Sequence, residues 1–421
     1  MKASRTAPVM VQWRVGQPQG TPRDYAHLAA EGYRDNIIGY RCINLITENA
    51  AKVPLMLRTK SDNKAIENHP LLDLLARPNP VQSGASFLQS AYGFFLLSGN
   101  SYIEAVGPLN KPPMELYPLR PDRMKVIPGE TGIPAAYEYT VGSKKIQFPL
   151  DPVTGIGECL HVKAFNPLND WYGMAPIEAA AWSIDQHNEA GKWNTSLLQN
   201  GARPSGAVVY APKDGSDAMT DEQRAMLRSQ IDETFTGGDN AGRPLLLEGG
   251  MDWKEMALSP KDMDWLKGKD VSAREVALAF NVPSQLVGIE GSQTFANFEQ
   301  ARLSLYDDAV LPLVDLLVDE LNYWLVPRYG DDLVLSYDED AISALEPRRR
   351  ERWEKVQQST VLTINEKREA MGYDNIGPEG DVIFVEASKL PLGYEPAGDE
   401  PPEGGVTEEE AQEQAKAAYG A

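Results

Sequence analysis

The feature that most constrains this chain is a pair of long helical stretches on either side of a short, self-contained segment. The first, "GMAPIEAAAWSIDQHNEAGKWNTSLLQNGA", puts Pro176 in a first helical turn and Gly201 at a C-terminal cap. A helix over 175–200 is predicted, roughly 38 Å long at 1.5 Å per residue. Its second half, "QHNEAGKWNTS", has a thin apolar face. Such a helix is expected to pack against copies of itself or to bridge two regions rather than sit in its own subunit's core. The second stretch, 259–281, has Ser259 as cap and Pro260 in its first turn. Val282-Pro283 is expected to end it, since proline disfavours helix at the preceding residue and lacks a backbone donor. Between the two, 202–258 predicts a strand "SGAVVYA" and a helix "TDEQRAMLRSQIDETF" capped by Thr220, with Met226, Leu227 and Ile231 in the module's own core. A Gly-rich turn, a strand "RPLLLEGG" and "MDWKEMA" complete it. The pattern is a stalk with a foot.

Around this stalk the chain alternates helices and short strands, an α+β composition. "DNIIGYRCINLITENAAKV" predicts a helix capped by Asp35 and ended by Pro54, with "LMLR" as a strand after it. "NHPLLDLLARPNP" is a short helix closed by Pro78 and Pro80. "SGASFLQSAYGFFLLSGNSYIEAV" is a helix capped near Ser86, stopped at Gly99-Asn100 and followed by a strand. Residues 114–161 are Pro-punctuated with alternating runs and predict a β-rich region. Leu303, Tyr306, Val310, Leu313, Leu317, Leu321 and Trp324 share one helical face, and Pro312 inside that helix predicts a kink. "DLVLSYDEDAI" is a strand, and "PRRRERWEKVQQST" and "LTINEKREAMGY" are helices, the latter opened by a Thr363/Glu366 capping box. Residues 1–34 suggest a poorly ordered arm and 392–421 a disordered acidic tail.

Composition narrows the function. The 421 residues suffice for two or three domains, and a net charge of -21 argues against tight, sequence-specific DNA binding, though not against DNA passing through. The two cysteines, Cys42 and Cys159, lie in apolar surroundings and are expected to be buried thiols in a reducing compartment. The first residues lack a signal-peptide core and "GFFLL" is far too short to span a bilayer, so a cytosolic protein with no membrane partner is expected. No Walker A sequence or G-x-S-x-G elbow occurs, and His27, His69, His161 and His187 have no metal-ligand spacing. No catalytic residue, metal or cofactor is expected, and the chain is not expected to be an enzyme.

The order of "HPLLDLLARPNP", "FLQSAYGFFLLSGNSYIEAV", "LYPLRPDRMKV", "CLHVKAFNP", "WYGMAPIEAA", "AFNVPSQLVG", "FANFEQARLSLYDDAVLPLVDLLVDELNYWL" and "LTINEKREAMGY" resembles the portal proteins of long-tailed bacteriophages and related gene transfer agents. The resemblance runs from about Asn36 to Gly372. It implies a dodecameric ring at one capsid vertex of the virion, through which double-stranded DNA is packaged and later ejected. Its implied partners are the large terminase, the major capsid protein and a head–tail adaptor. It further implies a wing (36–173 and 300–345), a stem (175–200 and 259–281), a clip (202–258), a tunnel loop (288–298) and a crown (346–390).

On that resemblance, Gln293, Thr294, Phe295, Ala296 and Asn297 are expected in the tunnel loop, with Gly288 and Gly291 letting it flex. Arg203, Arg243, Lys267 and Lys269 are candidates for basic rings along the channel. Asp221, Glu222, Arg224 and Arg228 are candidates for contacts with the motor or adaptor. Pro312 is expected to bend its helix from channel wall to wing. Two other readings compete: a structural head–tail adaptor without a channel, and an acidic hydrolase with an unrecognised site.

Overall fold

The structure, a computed structural model, describes residues 20–108, 111–130, 132–199, 206–210, the helical residues 221, 222, 225, 226 and 229, then 251–255, 265–289 and 295–383. They divide into two units, Met1–Leu345 and Glu346–Ala421.

In the first unit, α1 (Tyr25–Ala29) runs into a π-helical turn (Ala30–Arg34), and α2 (Ile37–Ala50) follows. Asn36, not the expected Asp35, caps α2. Its side-chain oxygen accepts from the amides of Ile38 and Gly39, while Asp35 pairs with Arg34 at the surface. Both residue types cap equally well, so tertiary contacts decide. Helix α2 ends at Ala50, one turn ahead of Pro54. Gly39 is required by contact: a Cβ there would run into the Gly32 carbonyl oxygen, so α2 meets the π turn backbone to backbone.

Strands β1 (Leu55–Thr59) and β2 (Ala65–Ile66) precede α3 (Pro70–Ala76) and α4 (Gly84–Ser98). The cap of α4 is Ser83. It lies near Ser86, as expected, and the Ser86 amide donates to its hydroxyl at 3.3 Å. Gly99 ends α4 as expected, at φ +70, and its backbone passes so close to Gly173 and Met174 that a Cβ would meet them at 2.6 Å. Then come β3 (Asn100–Val106), β4 (Glu115–Leu119), β5 (Met124–Pro128), β6 (Pro134–Val141), β7 (Lys144–Pro149) and β8 (Cys159–Lys163), in the region predicted to be β-rich.

The stalk follows. Its first helix is divided at Ala180 into α5 (Pro176–Ala179) and α6 (Ala181–Gln199), not continuous as expected. At the break the Ala180 amide reaches the Glu178 and Pro176 carbonyls, and Arg23 donates to the Glu178 carbonyl from outside the helix. Strands β9 (Gly206–Tyr210) and β10 (Met251–Glu255) pair antiparallel, and α7 (Trp265–Ala279) returns. The start expected at Ser259-Pro260 lies outside the described residues. Helix α8 (Phe295–Leu305), a π-helical turn (Tyr306–Val310), α9 (Leu311–Trp324) and β11 (Leu333–Tyr337) complete the unit.

The described strands form antiparallel sheets ordered β11-β1-β2, β4-β3-β8, β5-β6-β7 and β10-β9. The main core joins α2, α4, α5, α7 and α9 through residues such as Ile43, Phe87, Ile177, Val276 and Leu321. A smaller core under the β-rich region holds Tyr102, Val126, Tyr137 and Phe148. Tyr306, Val310, Leu313, Leu317, Leu321 and Trp324 are buried, as their shared face predicts.

The second unit has α10 (Glu346–Gln358) and α11 (Ile364–Ala370). The expected capping box is formed: Glu366 donates its amide to the Thr363 hydroxyl, and its carboxylate accepts from the Thr363 amide at 2.8 Å.

Candidate functional site

Helices α6 and α7 lie side by side and run in opposite directions. Near one end the Ser183 hydroxyl donates to Glu275 at 2.6 Å, and farther along Lys269 borders a groove of about 500 Å³ with His187, Asn188 and Lys192. The apolar face of α6, thin as it is, finds its partner within the chain. Ala181, Ile184 and Ala190 are buried, which departs from the expectation that this helix avoids its own subunit's core.

The root of α6 is fixed by a neutral polar joint. Asn36, 1% exposed, donates through Nδ2 to Asn188 Oδ1 at 2.9 Å and to His187 Nδ1 at 3.3 Å. Asn188 in turn donates to the Glu31 carbonyl at 2.9 Å, on the π turn. One amide therefore caps α2, engages two residues of α6 and is linked through Asn188 to the π turn. Burial, then the charge of Lys269, holds the His187 imidazole below its usual range, so it stays neutral and accepts at Nδ1. On the outer side Thr21 donates its amide to Asp185 at 2.8 Å, and its hydroxyl donates to the same carboxylate.

A second joint sits where β8 leads into the stalk. The His161 ring stacks on Tyr102 at 4.3 Å, and its Nε2 donates to Asn100 Oδ1 at 2.9 Å. The same oxygen accepts from the Gly173 amide at 2.8 Å. Burial, aided by the Lys163 charge, pushes the His161 pKa down to about 3. The imidazole is thus a neutral donor at neutral pH.

The end of α7 is the third element. Asn281, at φ +54, closes the helix: its amide donates to Leu278, and the Val282 amide reaches back to Ala277 at 2.9 Å. This is a left-handed helix terminus, so Asn281 rather than Pro283 stops the helix, and Pro283 only follows it. Asparagine tolerates this conformation and offers a side chain that glycine lacks. That side chain donates to the Asp308 carbonyl at 3.3 Å.

The acceptor explains Pro312. In a regular helix the amide of residue 312 would bond to Asp308, and proline has no amide to give. The preceding turn is π-helical, with Leu311 donating to Tyr306, and Pro312 stands in the first turn of α9. The Tyr306 hydroxyl holds this turn to α2 through Asn49 at 3.1 Å.

The predicted site residues fall as follows. Gln293, Thr294 and Gly291 lie outside the described residues, whereas Phe295, Ala296 and Asn297 open α8 and are helical, not loop. The run that follows, Glu299 to Leu305, favours helix, and the helix extends back further than the expected loop boundary allows. Gly288 is the left-handed cap of a 3₁₀ turn (Ser284–Val287), a defined position at φ +80. Lys267 is exposed, while Lys269, two residues on and therefore on another face, borders the groove with His187. The structure does not bring these two lysines together. Arg203, Arg243, Arg224 and Arg228 lie outside the described residues, as do Leu227 and Ile231. Asp221 and Glu222 are exposed on helical residues, and Met226, expected in the module's core, is 68% exposed.

Both cysteines are buried, and burial pushes the Cys42 thiol up to about 12. Among the described residues no group of His, Cys, Asp or Glu could hold a metal ion, and no helix is long and apolar enough to cross a membrane.

Comparison with known proteins supplies what the site's geometry lacks. A family model described as phage portal protein matches residues 38–372. An uncharacterized protein of Rickettsia bellii (strain RML369-C) is 41% identical over 353 residues, covering 84% of this chain and 90% of its own. The portal protein of Enterobacteria phage HK97 is 25% identical over 367 residues, covering 84% and 82%. A chain from the neck of an empty GTA particle, solved with C6 symmetry, is 41% identical and superposes with a TM-score of 0.67, covering 86% of this chain and 96% of its own. One from the neck of a native GTA particle, solved with C12 symmetry, is 40% identical with a TM-score of 0.64 and the same coverage. GTA stands for gene transfer agent.

Proposed function

This chain belongs to the phage portal protein family, and from that premise we propose how its parts serve the channel. It is a portal protein, a structural and non-enzymatic component of a phage or gene transfer agent particle, and it forms the channel at the capsid vertex as part of a ring of copies. In our reading the ring has twelve subunits. Helices α6 and α7 form its stem, the segment around β9 and β10 its clip, the body on either side its wing, and the second unit its crown. The tunnel loop is the segment 288–298, whose last residues begin α8. The clip meets the terminase and later the head–tail adaptor, and the wing meets the capsid protein.

The observation that carries this reading is the antiparallel α6–α7 pair, rooted on α2 through Asn36, with the β9–β10 pair in the stretch of chain between the two helices. It makes a stiff rod of one subunit, and a ring of such rods makes a wall. The charge suits the task. Copies at -21 each give an acidic wall, and DNA that is held by few cations slides, because each neutralised phosphate adds salt-sensitive affinity.

The test is negative-stain electron microscopy with mass photometry on the full-length protein, then packaging assays. Rings near twelve subunits with a hole able to pass duplex DNA are expected, and deletion of 290–297 should leave the ring intact while abolishing packaging. Closed particles without a hole would favour the adaptor reading.

A further inference from the structure

The chain reaches its first described residues already seated on the stalk. Gly20 lies against Trp182, where a Cβ would meet the indole ring at 3.0 Å. The Thr21 amide donates to Asp185 at 2.8 Å, its hydroxyl donates to the same carboxylate, and Arg23 donates to the Glu178 carbonyl. Trp182, Asp185 and Glu189 are spaced by three and four residues, so they share an outer face of α6, while Ile184, His187 and Asn188 are buried on its inner side. Residues 20–23 cover this outer face only in part. Trp182 is 45% exposed, and Gln186 and Glu189 are exposed.

Composition indicates what covers the rest. Residues 1–19 carry Lys2, Arg5 and Arg14 and no acid, in a chain whose net charge is -21. The same segment holds Val9, Met10, Val11, Trp13 and Val15. Helices α5 and α6 offer Glu178, Asp185 and Glu189 against one lysine, Lys192, which pairs with Glu189 through a single carboxylate oxygen at 2.9 Å. A basic, apolar segment thus enters beside an acidic face with an exposed indole, and the two are complementary in sign. Reach agrees. The six residues from Arg14 to Gly20 span at most about 20 Å, and Glu189 lies about 10 Å along the helix from Trp182.

We propose that residues 9–19 continue across this outer face of α6 as a strap, with Arg14 paired to Glu189 and the apolar residues beside Trp182. The occupant is the protein's own chain, so the strap is present in a single subunit and goes beyond the ring reading above. It neutralises part of the acidic face of the stalk and ties the start of the chain to α6 well past the Thr21–Asp185 bond.

Maleimide labelling of full-length Gln186→Cys tests this on protomers separated from rings by size; Cys42 and Cys159 are buried and stay silent. Labelling should be at least about fivefold slower than in the same protein carrying Trp13→Ala and Arg14→Glu, at equal thermal melts. The second assay approaches from α6 and leaves residues 1–19 intact, so it decides the matter where the double change disturbs folding. Trypsin should cut after Arg14 about threefold faster in Glu189→Gln than in wild type, the scale of one exposed ion pair. An unchanged rate in either assay, at equal melts, would overturn the proposal. Protection at position 186 that appears only in ring-sized fractions would overturn it too, and would assign this face of α6 to a neighbouring copy.

Discussion

Replacing Asn36 by alanine breaks the joint between α2 and the stalk, and the structure sets the scale. The substitution removes the α2 cap, worth about 1 kcal/mol. It also strips the donor from Asn188 Oδ1 in a buried setting, which costs about 1–3 kcal/mol. The sum, about 2–4 kcal/mol, is large for a neutral side chain of modest size. Asn36→Ser separates the two parts: serine caps as well as asparagine, but its hydroxyl is too short to serve Asn188, so the cap part should return and the donor part stay lost. The assay is urea unfolding of the unassembled protein, with hydrogen exchange on α2 and α6 peptides to locate the loss. A cycle with Asn188→Ala should show coupling of about 1 kcal/mol or more, since removing the orphaned acceptor relieves its cost. An Asn36→Ala variant within about 0.5 kcal/mol of wild type, or a cycle with no coupling, would refute this account of the joint.

Three further outcomes are expected. Gly39→Ala should be among the most destabilising single changes, by about 3 kcal/mol or more in thermal and urea melts, because its methyl group meets the Gly32 carbonyl rather than a side chain that can turn away. His161 is held neutral down to about pH 3, whereas the unfolded chain protonates it near its ordinary value. The unfolded state then binds the extra proton, so this contribution is complete above about pH 6.5 and is lost as the pH falls toward 3. His161→Gln should flatten that part of a stability–pH curve, and an unchanged slope would remove His161 from the account. Pro312→Ala gives residue 312 an amide that can bond to Asp308 in place of Asn281. Stability should hold or rise by about 1 kcal/mol while DNA packaging falls, measured by melts and by particle titre.

Much of the fold was legible because local chemistry and tertiary structure agree in it. Gly99 stops α4 both as a left-handed cap and because Gly173 crosses it, and Thr363 with Glu366 forms the expected box. The helices on either side of the inserted segment were visible, and the order of motifs carried the family. Misreadings occur where two residues compete for one role. Asp35 and Asn36 are equal as caps in isolation, and only the reach to Asn188 selects Asn36. Pro283 is the louder breaker, yet the helix has already ended at Asn281. His187 and Asn188 lie in the stretch read as having a thin apolar face, because sequence periodicity registers apolar burial and is blind to a buried amide with a distant partner. An isolated asparagine followed by helix, with "HN" on another helix, is the only trace in the sequence, and it is too common to pair unaided.

These joints share a chemistry. Asn36 binds His187 and Asn188, Asn100 binds His161 and Gly173, Tyr306 binds Asn49, and Asn322 exchanges two hydrogen bonds with Leu335 at 2.7 and 2.8 Å. Ion pairs such as Arg34–Asp35 and Lys145–Glu138 are instead at the surface. On the proposal that DNA passes through this ring of acidic subunits, the local field and ion atmosphere change as it enters and leaves. A surface ion pair is worth little and weakens with salt. A buried charge would add a desolvation cost that varies with its partner's position. A buried amide with both donor and acceptor satisfied fixes orientation with no net charge, so its geometry holds whether the channel is empty or full. Asn322→Asp should therefore uncouple α9 from β11, read as faster amide exchange along β11. The acceptor bond from the Leu335 amide survives that change, but the Leu335 carbonyl would then face a carboxylate in place of its donor. Unchanged exchange in β11 would show that one of the two bonds suffices and that the neutrality of the joint is immaterial.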